Sequence, residues 1–160
     1  MNPQIVKQTS ILSAILGAIL GVLTLIPFIR NFSFTLLMLA VATVVIIYMK
    51  RKDLIGIIDI KEGAVLGAII GFVSFIAFSL IFVVPAAILG SFFPSYYMSW
   101  LGFLLKTSVF VFIMIVFFLS VLSALMNSFA GLATVYMYEI LTGVKKEEKQ
   151  NENIDFEIKE

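Results

Sequence analysis

The chain has 160 residues, of which 61% are hydrophobic and 13% are charged, and its formal net charge at pH 7 is +1. A soluble domain carries about 45–50% apolar and about 25% charged residues. At this size it still exposes roughly a third of its chain surface to water. The apolar excess therefore excludes a soluble globular domain and a disordered chain, and it predicts an all-α, polytopic membrane helical bundle.

Two uncharged apolar segments near the amino end have about the length of a membrane-crossing helix, which needs about 20 apolar residues. The first predicted span covers residues 11–29, and the second, slightly short, covers 33–49. A cleaved signal peptide is the alternative for the first segment, because Lys7 precedes the apolar run. The run is long, however, and the residues around Pro27 do not form a small-residue cleavage site. Pro27 is expected to bend or end the first helix.

Two longer apolar segments follow. The third predicted span covers 63–88, and Pro85 within it is expected to bend or stop the helix. The fourth covers 107–129 and continues as a bent or interfacial helix to about residue 141, with Gly131 as the point where the helix loosens. These four transmembrane helices predict one bundle.

The predicted domain division follows from the same pattern. Residues 1–144 form the four-span transmembrane domain. Residues 145–160 carry ten charges and no helix-forming apolar stripe. This composition predicts a disordered cytoplasmic tail.

The basic residues are distributed unequally between the two sides of a four-span topology. Arg30 and Lys106 fall on one side, and the other nine fall on the side of both termini. Because Lys and Arg are enriched in cytoplasmic loops, both termini are expected to be cytoplasmic. The expected location is the plasma (inner) membrane as a multi-pass protein. The nine residues are Lys7, Lys50, Arg51, Lys52, Lys61, Lys145, Lys146, Lys149 and Lys159.

The first and third spans resemble each other. Residues 14–28 align with residues 64–78 without gaps, with eight of the fifteen positions identical. A parallel duplication of a two-helix hairpin explains this match, although chance similarity between apolar helices is the alternative. It would differ from the inverted repeats of many transporters.

Each of these spans carries small residues at every fourth position, a glycine-zipper pattern. Residues four apart share one helix face, and small side chains let neighbouring backbones approach closely in lipid. The pattern predicts close helix packing, and we favour pairing of the first and third spans within the chain over self-association. The helix-packing residues are Ser13, Gly17, Gly21, Gly63, Gly67 and Gly71.

The fourth span carries a stripe of small polar residues with spacings of three and four. Asn127 is its most polar member and needs a hydrogen-bond partner at membrane depth. We favour helix packing as the role of this stripe, and a polar pathway through the membrane is the alternative. The pathway residues would be Ser120, Ser123, Asn127 and Ser128.

Catalytic and cofactor chemistry finds little support in the sequence. The chain has no cysteine and no histidine, which removes thiolate chemistry and the commonest general base and metal ligand. It contains no phosphate-binding loop, nucleophile elbow or zinc-protease motif. We therefore expect no enzyme, no cofactor and no metal. The few scattered basic residues also argue against a nucleic-acid partner.

One segment carries a resemblance to known proteins. The residues 59–63, Asp-Ile-Lys-Glu-Gly, followed by Gly67 and Gly71, resemble uncharacterised small prokaryotic four-helix membrane proteins of the domain-of-unknown-function kind. The resemblance covers a short part of the chain and implies a fold without an activity.

Three functional classes remain. The first is a non-enzymatic structural or accessory membrane subunit that assembles through its glycine and small-residue helix faces. The second is a small oligomeric channel or transporter with a polar pathway lined by the fourth helix. The third, an intramembrane enzyme, has the weakest support. The expected partners are the lipid bilayer and either further copies of the chain or another membrane protein.

Overall fold

The computed structural model describes residues 3–52, 54–56, 58–92 and 109–157. Within these ranges the chain forms five α-helices and no strand, which confirms the predicted all-helical fold. The helices are α1 (Pro3–Leu23), α2 (Arg30–Leu39), α3 (Val41–Arg51), α4 (Ile60–Phe92) and α5 (Val109–Glu157).

Three helical segments are long and apolar enough to cross a membrane, namely α1, Ile60–Val83 of α4 and Phe110–Leu141 of α5. Taken together, α2 and α3 are also long and apolar enough to cross a membrane, although the two helices are bent by 63° relative to each other. The described residues therefore hold three candidate spans, or four if the bent pair is counted as one.

The first helix is displaced toward the amino end relative to the predicted span 11–29. It starts at Pro3 and ends at Leu23, and turns occupy residues 24–29. Proline suits the first turn of a helix because the amide hydrogens of that turn have no partner within the helix, so that its missing N–H costs no hydrogen bond. Pro27 lies among the turns, where a missing amide hydrogen interrupts no helix.

Helix α4, which contains the third predicted span, does not stop at Pro85, contrary to one of the two outcomes expected from the sequence. It continues through Pro85 to Phe92. Proline inside a membrane helix is tolerated where neighbouring helices and local adjustments satisfy the freed backbone group.

The fifth helix is also longer than expected. It runs without interruption through Gly131, and it continues to Glu157 where the sequence predicts a disordered tail. Lys, Glu and Gln, which are abundant in residues 145–152, are good helix formers. Residues 107 and 108 of the predicted fourth span, and residues 158–160 of the tail, lie outside the described residues.

The core of the bundle is organised around α4, which packs against α1 and α5, while α2 and α3 contact all three. α5 buries a narrow face and exposes large apolar side chains along the rest of its span. This distribution suits an apolar solvent. The best-buried apolar residues are Leu37, Val41, Ala42, Val45, Ile46, Met49, Leu66, Ile70, Ala86 and Val135.

Candidate functional site: a broken helix bridged by Asn127

The most unusual feature of the backbone is the break between α2 and α3. Ala40 stands between the two helices with φ −120° and ψ −13°. Its own amide hydrogen still bonds to the carbonyl of Leu36 at 2.9 Å, and its carbonyl accepts from Val44 at 3.0 Å. In an unbroken helix the N–H of Ala42 would bond to the carbonyl of Met38, so a bend of 63° here calls for substitute partners.

The side chain of Asn127, which is fully buried on α5, supplies these partners. Its Oδ1 accepts a hydrogen bond from the N–H of Ala42 at 3.0 Å. Its Nδ2 donates to the carbonyl oxygens of Leu37 at 3.1 Å and Met38 at 3.0 Å. A carboxamide carries both an acceptor and two donor hydrogens. One side chain therefore bridges two carbonyls near the end of α2 and one amide near the start of α3.

A third carbonyl oxygen shares the two hydrogens of this carboxamide and holds it against its own helix. Asn127 Nδ2 also lies 3.0 Å from the carbonyl oxygen of Ser123, one turn earlier on α5. The hydroxyl of Ser123 donates to the carbonyl of Gly71 on α4 at 3.1 Å, and the hydroxyl of Ser74 donates to the same carbonyl at 3.2 Å. The Asn127 bridge is thus connected through Ser123 to the backbone of α4.

The glycines of α4 allow α5 to come close enough for this arrangement. A Cβ atom at Gly67 would overlap the carbonyl of Asn127, and one at Gly71 would overlap the carbonyl of Ser123. On α5, a Cβ atom at Gly131 would overlap the carbonyl of Gly63. Gly131 is therefore a contact residue, and this explains why it does not loosen the helix.

The small residues of α1 contact a different part of α4. A Cβ atom at Gly17 would overlap the carbonyl of Ser74, and one at Gly21 would lie 3.0 Å from the carbonyl oxygen of Phe78. Ser13 is buried, and its hydroxyl donates to the carbonyl of Thr9 at 2.6 Å. The first and third predicted spans are therefore neighbours within the chain. Their two glycine stripes do not face each other. The α1 glycines contact Ser74 and Phe78 of α4, whereas the α4 glycines contact α5.

Three of the four predicted pathway residues, Ser120, Ser123 and Asn127, bond to the chain's own backbone. The buried hydroxyl of Ser120 donates to the carbonyl of Val116 at 2.7 Å, and Ser123 bonds to Gly71 as described above. Ser128 is half-buried, and its Cα atom lies beside Gly67. The structure brings Ser123 and Asn127 together with Gly67 and Gly71, whereas Ser120 lies one turn away and Ser13 and Gly21 belong to the α1 contact.

A second polar contact joins the bent pair to α5. The hydroxyl of Thr134, which donates to the carbonyl of Ala130 at 2.7 Å, lies 3.0 Å from the hydroxyl of Thr43 on α3. Sequence reasoning missed Thr43 and the break itself, because no Pro or Gly stands within residues 33–49. Among the described residues, no group of three acidic side chains is placed to hold a metal ion.

Comparison of the chain with protein-family models, with curated proteins and with solved structures finds no match. The resemblance of residues 59–71 to small prokaryotic four-helix membrane proteins therefore stays a prediction.

Proposed function

We propose that the protein is a multi-pass membrane protein with four spans, of which α2 and α3 together form the second. The two helices contain 10 and 11 residues and are bent by 63°. With a rise of 1.5 Å per residue, such a pair reaches about 27 Å along its mean direction. This length is close to the hydrocarbon thickness of about 30 Å, which supports a bent span over a re-entrant loop.

The helix contacts support a cytoplasmic location for both termini. The hydroxyl of Thr9 on α1 lies 3.3 Å from the sulfur of Met49 on α3. Lys50 on α3 places its Nζ 4.4 Å from the ring centroid of Tyr138 on α5. The ends of the helices nearest the basic clusters thus lie at one end of the bundle, as the positive-inside rule requires of a four-span chain.

The absence of natural cysteines allows a direct topology test. Phe28, in the turns between α1 and α2, is 99% exposed, and Gly56, between α3 and α4, has open space around it. A membrane-impermeant maleimide should label Phe28→Cys in intact cells and should label Gly56→Cys only after lysis. The parent chain is the unlabelled control. Labelling of both positions from outside, or the reverse pattern, would contradict the four-span orientation.

Within the membrane we propose a non-enzymatic role as a structural or accessory subunit. The observation that carries this proposal is the Asn127 bridge, because the most polar side chain at the centre of the bundle bonds to the chain's own backbone. The glycine faces of α1 and α4 are occupied within the chain, so a partner has to contact other surfaces. The outer side of α5 exposes large side chains, including Phe117 and Phe129.

A small transporter is the second candidate, and the break at Ala40 is the observation that favours it. Discontinuous helices often form the substrate or ion site of transporters, where freed backbone groups face the ligand. Here Asn127 bonds to three of the backbone groups at the break. Because these backbone groups already have a partner within the chain, the break favours the structural role over a substrate site.

Two measurements on the unmodified chain separate the candidates. The purified chain in liposomes should show ion and solute flux no higher than empty liposomes. Deletion of its gene should lower the membrane abundance of one specific partner, which should also co-purify with the chain in a fixed ratio. Flux by the chain alone, or unchanged abundance of every co-purifying protein, would contradict the subunit proposal.

A further inference from the structure

A cavity of about 400 Å³ lies between the turn after α1, the start of α2, and the helices α4 and α5. This volume falls within the range of about 300–1,000 Å³ typical of small-molecule sites. The cavity lies on the far side of the bundle from the basic clusters, because its α2 residues stand at the opposite end of the bent pair from Lys50. Among its lining residues are Thr24, Arg30, Asn31, Thr35, Phe78 and Phe82.

One part of the wall is aromatic. The ring of Phe78 stacks on Phe82 at a centroid distance of 5.5 Å and lies 5.8 Å from Phe75. Phe34 of α2 meets Phe78 edge-on at 6.3 Å. These four rings all line the cavity, and they provide an apolar surface suited to a hydrocarbon chain.

Another part of the wall is polar and cationic. Arg30 is the first residue of α2, and Asn31 and Thr35 follow in its first two turns. Arg30 is half-buried and is one of the residues that line the cavity. The positive end of the α2 dipole adds to this charge. The cavity therefore combines a cationic part with an apolar aromatic part.

Among the described residues, the acidic side chains are far along the chain from those that line the cavity. All ten acidic residues fall within 53–62 and 139–160. On α4, Ser79 of the cavity stands 17 residues beyond Glu62, which corresponds to about 25 Å along the helix. A cationic site with low-dielectric walls attracts anions.

We infer that this cavity binds an anionic phospholipid, with an acyl chain against the phenylalanine rings and the phosphate at Arg30. A guanidinium is the side-chain cation that best matches the charge and geometry of a phosphate. The side-chain amide of Asn31 offers a further donor for the headgroup oxygens, whereas the hydroxyl of Thr35 donates to the carbonyl of Asn31 at 2.8 Å. The inference rests on the proposed membrane location, which places Arg30 at the end of a span, at the level of the headgroups.

Lipid binding is measured by native mass spectrometry of the purified full chain, titrated with phosphatidylglycerol or phosphatidylcholine. The wild type should retain one phosphatidylglycerol per chain, with a preference of about tenfold over phosphatidylcholine, the size of one charge-assisted contact. Arg30→Gln should abolish the preference. Arg51→Gln removes the same charge from an exposed site at the other end of the bundle, and it should keep the preference.

A second variant tests the cavity independently of the charge. Thr35 is exposed but lines the cavity, so Thr35→Trp should fill the space without disturbing the buried core and should reduce retention of the lipid. Unchanged helical content and thermal stability verify that both variants fold. Equal retention of the two lipids by the wild type, equal loss in Arg51→Gln, or displacement of the phospholipid by equimolar oleate would overturn the inference. None of these outcomes depends on the subunit role, which is tested by flux and partner abundance.

Discussion

Replacing Asn127 with leucine should destabilise the bundle by about 3 kcal/mol, because it leaves three backbone groups, two buried and one part-buried, without their partner, each worth about 1 kcal/mol. These groups are the N–H of Ala42 and the carbonyls of Leu37 and Met38. Leucine has the same branched arrangement of side-chain heavy atoms and leaves no cavity, so the loss does not arise from empty space. The free energy of unfolding in bicelles, measured by steric trapping, checks the prediction.

Two further variants show which property of the side chain matters. Asn127→Asp keeps an acceptor for Ala42 but turns an oxygen toward two carbonyl oxygens, so it should destabilise the protein about as much as leucine. Asn31→Leu makes the same exchange at an exposed site and should change the free energy of unfolding by less than about 0.5 kcal/mol. If Asn127→Leu behaves like Asn31→Leu, the bridge does not stabilise the break.

The sequence predicts the need for this bridge but not its location. Hydropathy identifies Asn127 as a polar group that must find a partner in an apolar surrounding. It carries no information about the bend at Ala40, because residues 36–42 are all apolar and include no helix breaker. The bonded groups are separated by 85 to 90 positions along the chain, so only the packed bundle reveals that one amide serves both sides of the break.

The small-residue stripes show a similar division between what periodicity can and cannot predict. A spacing of four places Gly63, Gly67 and Gly71 on one helix face, and that face is in close contact with a neighbour. The choice of neighbour depends on complementary shapes along every helix, and α5 also carries small residues. The pairing of α1 with α4 was predictable, whereas the contact of the α4 glycines with Asn127 and Gly131 was not.

Substituting alanine for Gly67 should also lower the free energy of unfolding by about 3 kcal/mol, the upper part of the range for overpacked cores. In an isolated helix this change would be stabilising by up to about 1 kcal/mol, because alanine is the better helix former. In the bundle, however, the added methyl group overlaps the backbone carbonyl of Asn127. A backbone atom cannot rotate aside as a flexible side chain can, so α4 and α5 must separate. Gly56→Ala, made where no atom lies within 4 Å, is the matched control and should be close to neutral.

A double-mutant cycle connects the two effects. Separation of α4 from α5 would also withdraw the carboxamide of Asn127 from the break between α2 and α3. Gly67→Ala should therefore already lose part of the stabilisation that the Asn127 hydrogen bonds provide. The two losses should then fall short of additivity by about 1 kcal/mol or more, as is typical of residues that share one contact network. Strict additivity would mean that Gly67 contributes only to packing. A shortfall would show that the glycine face of α4 supports the broken helix through Asn127.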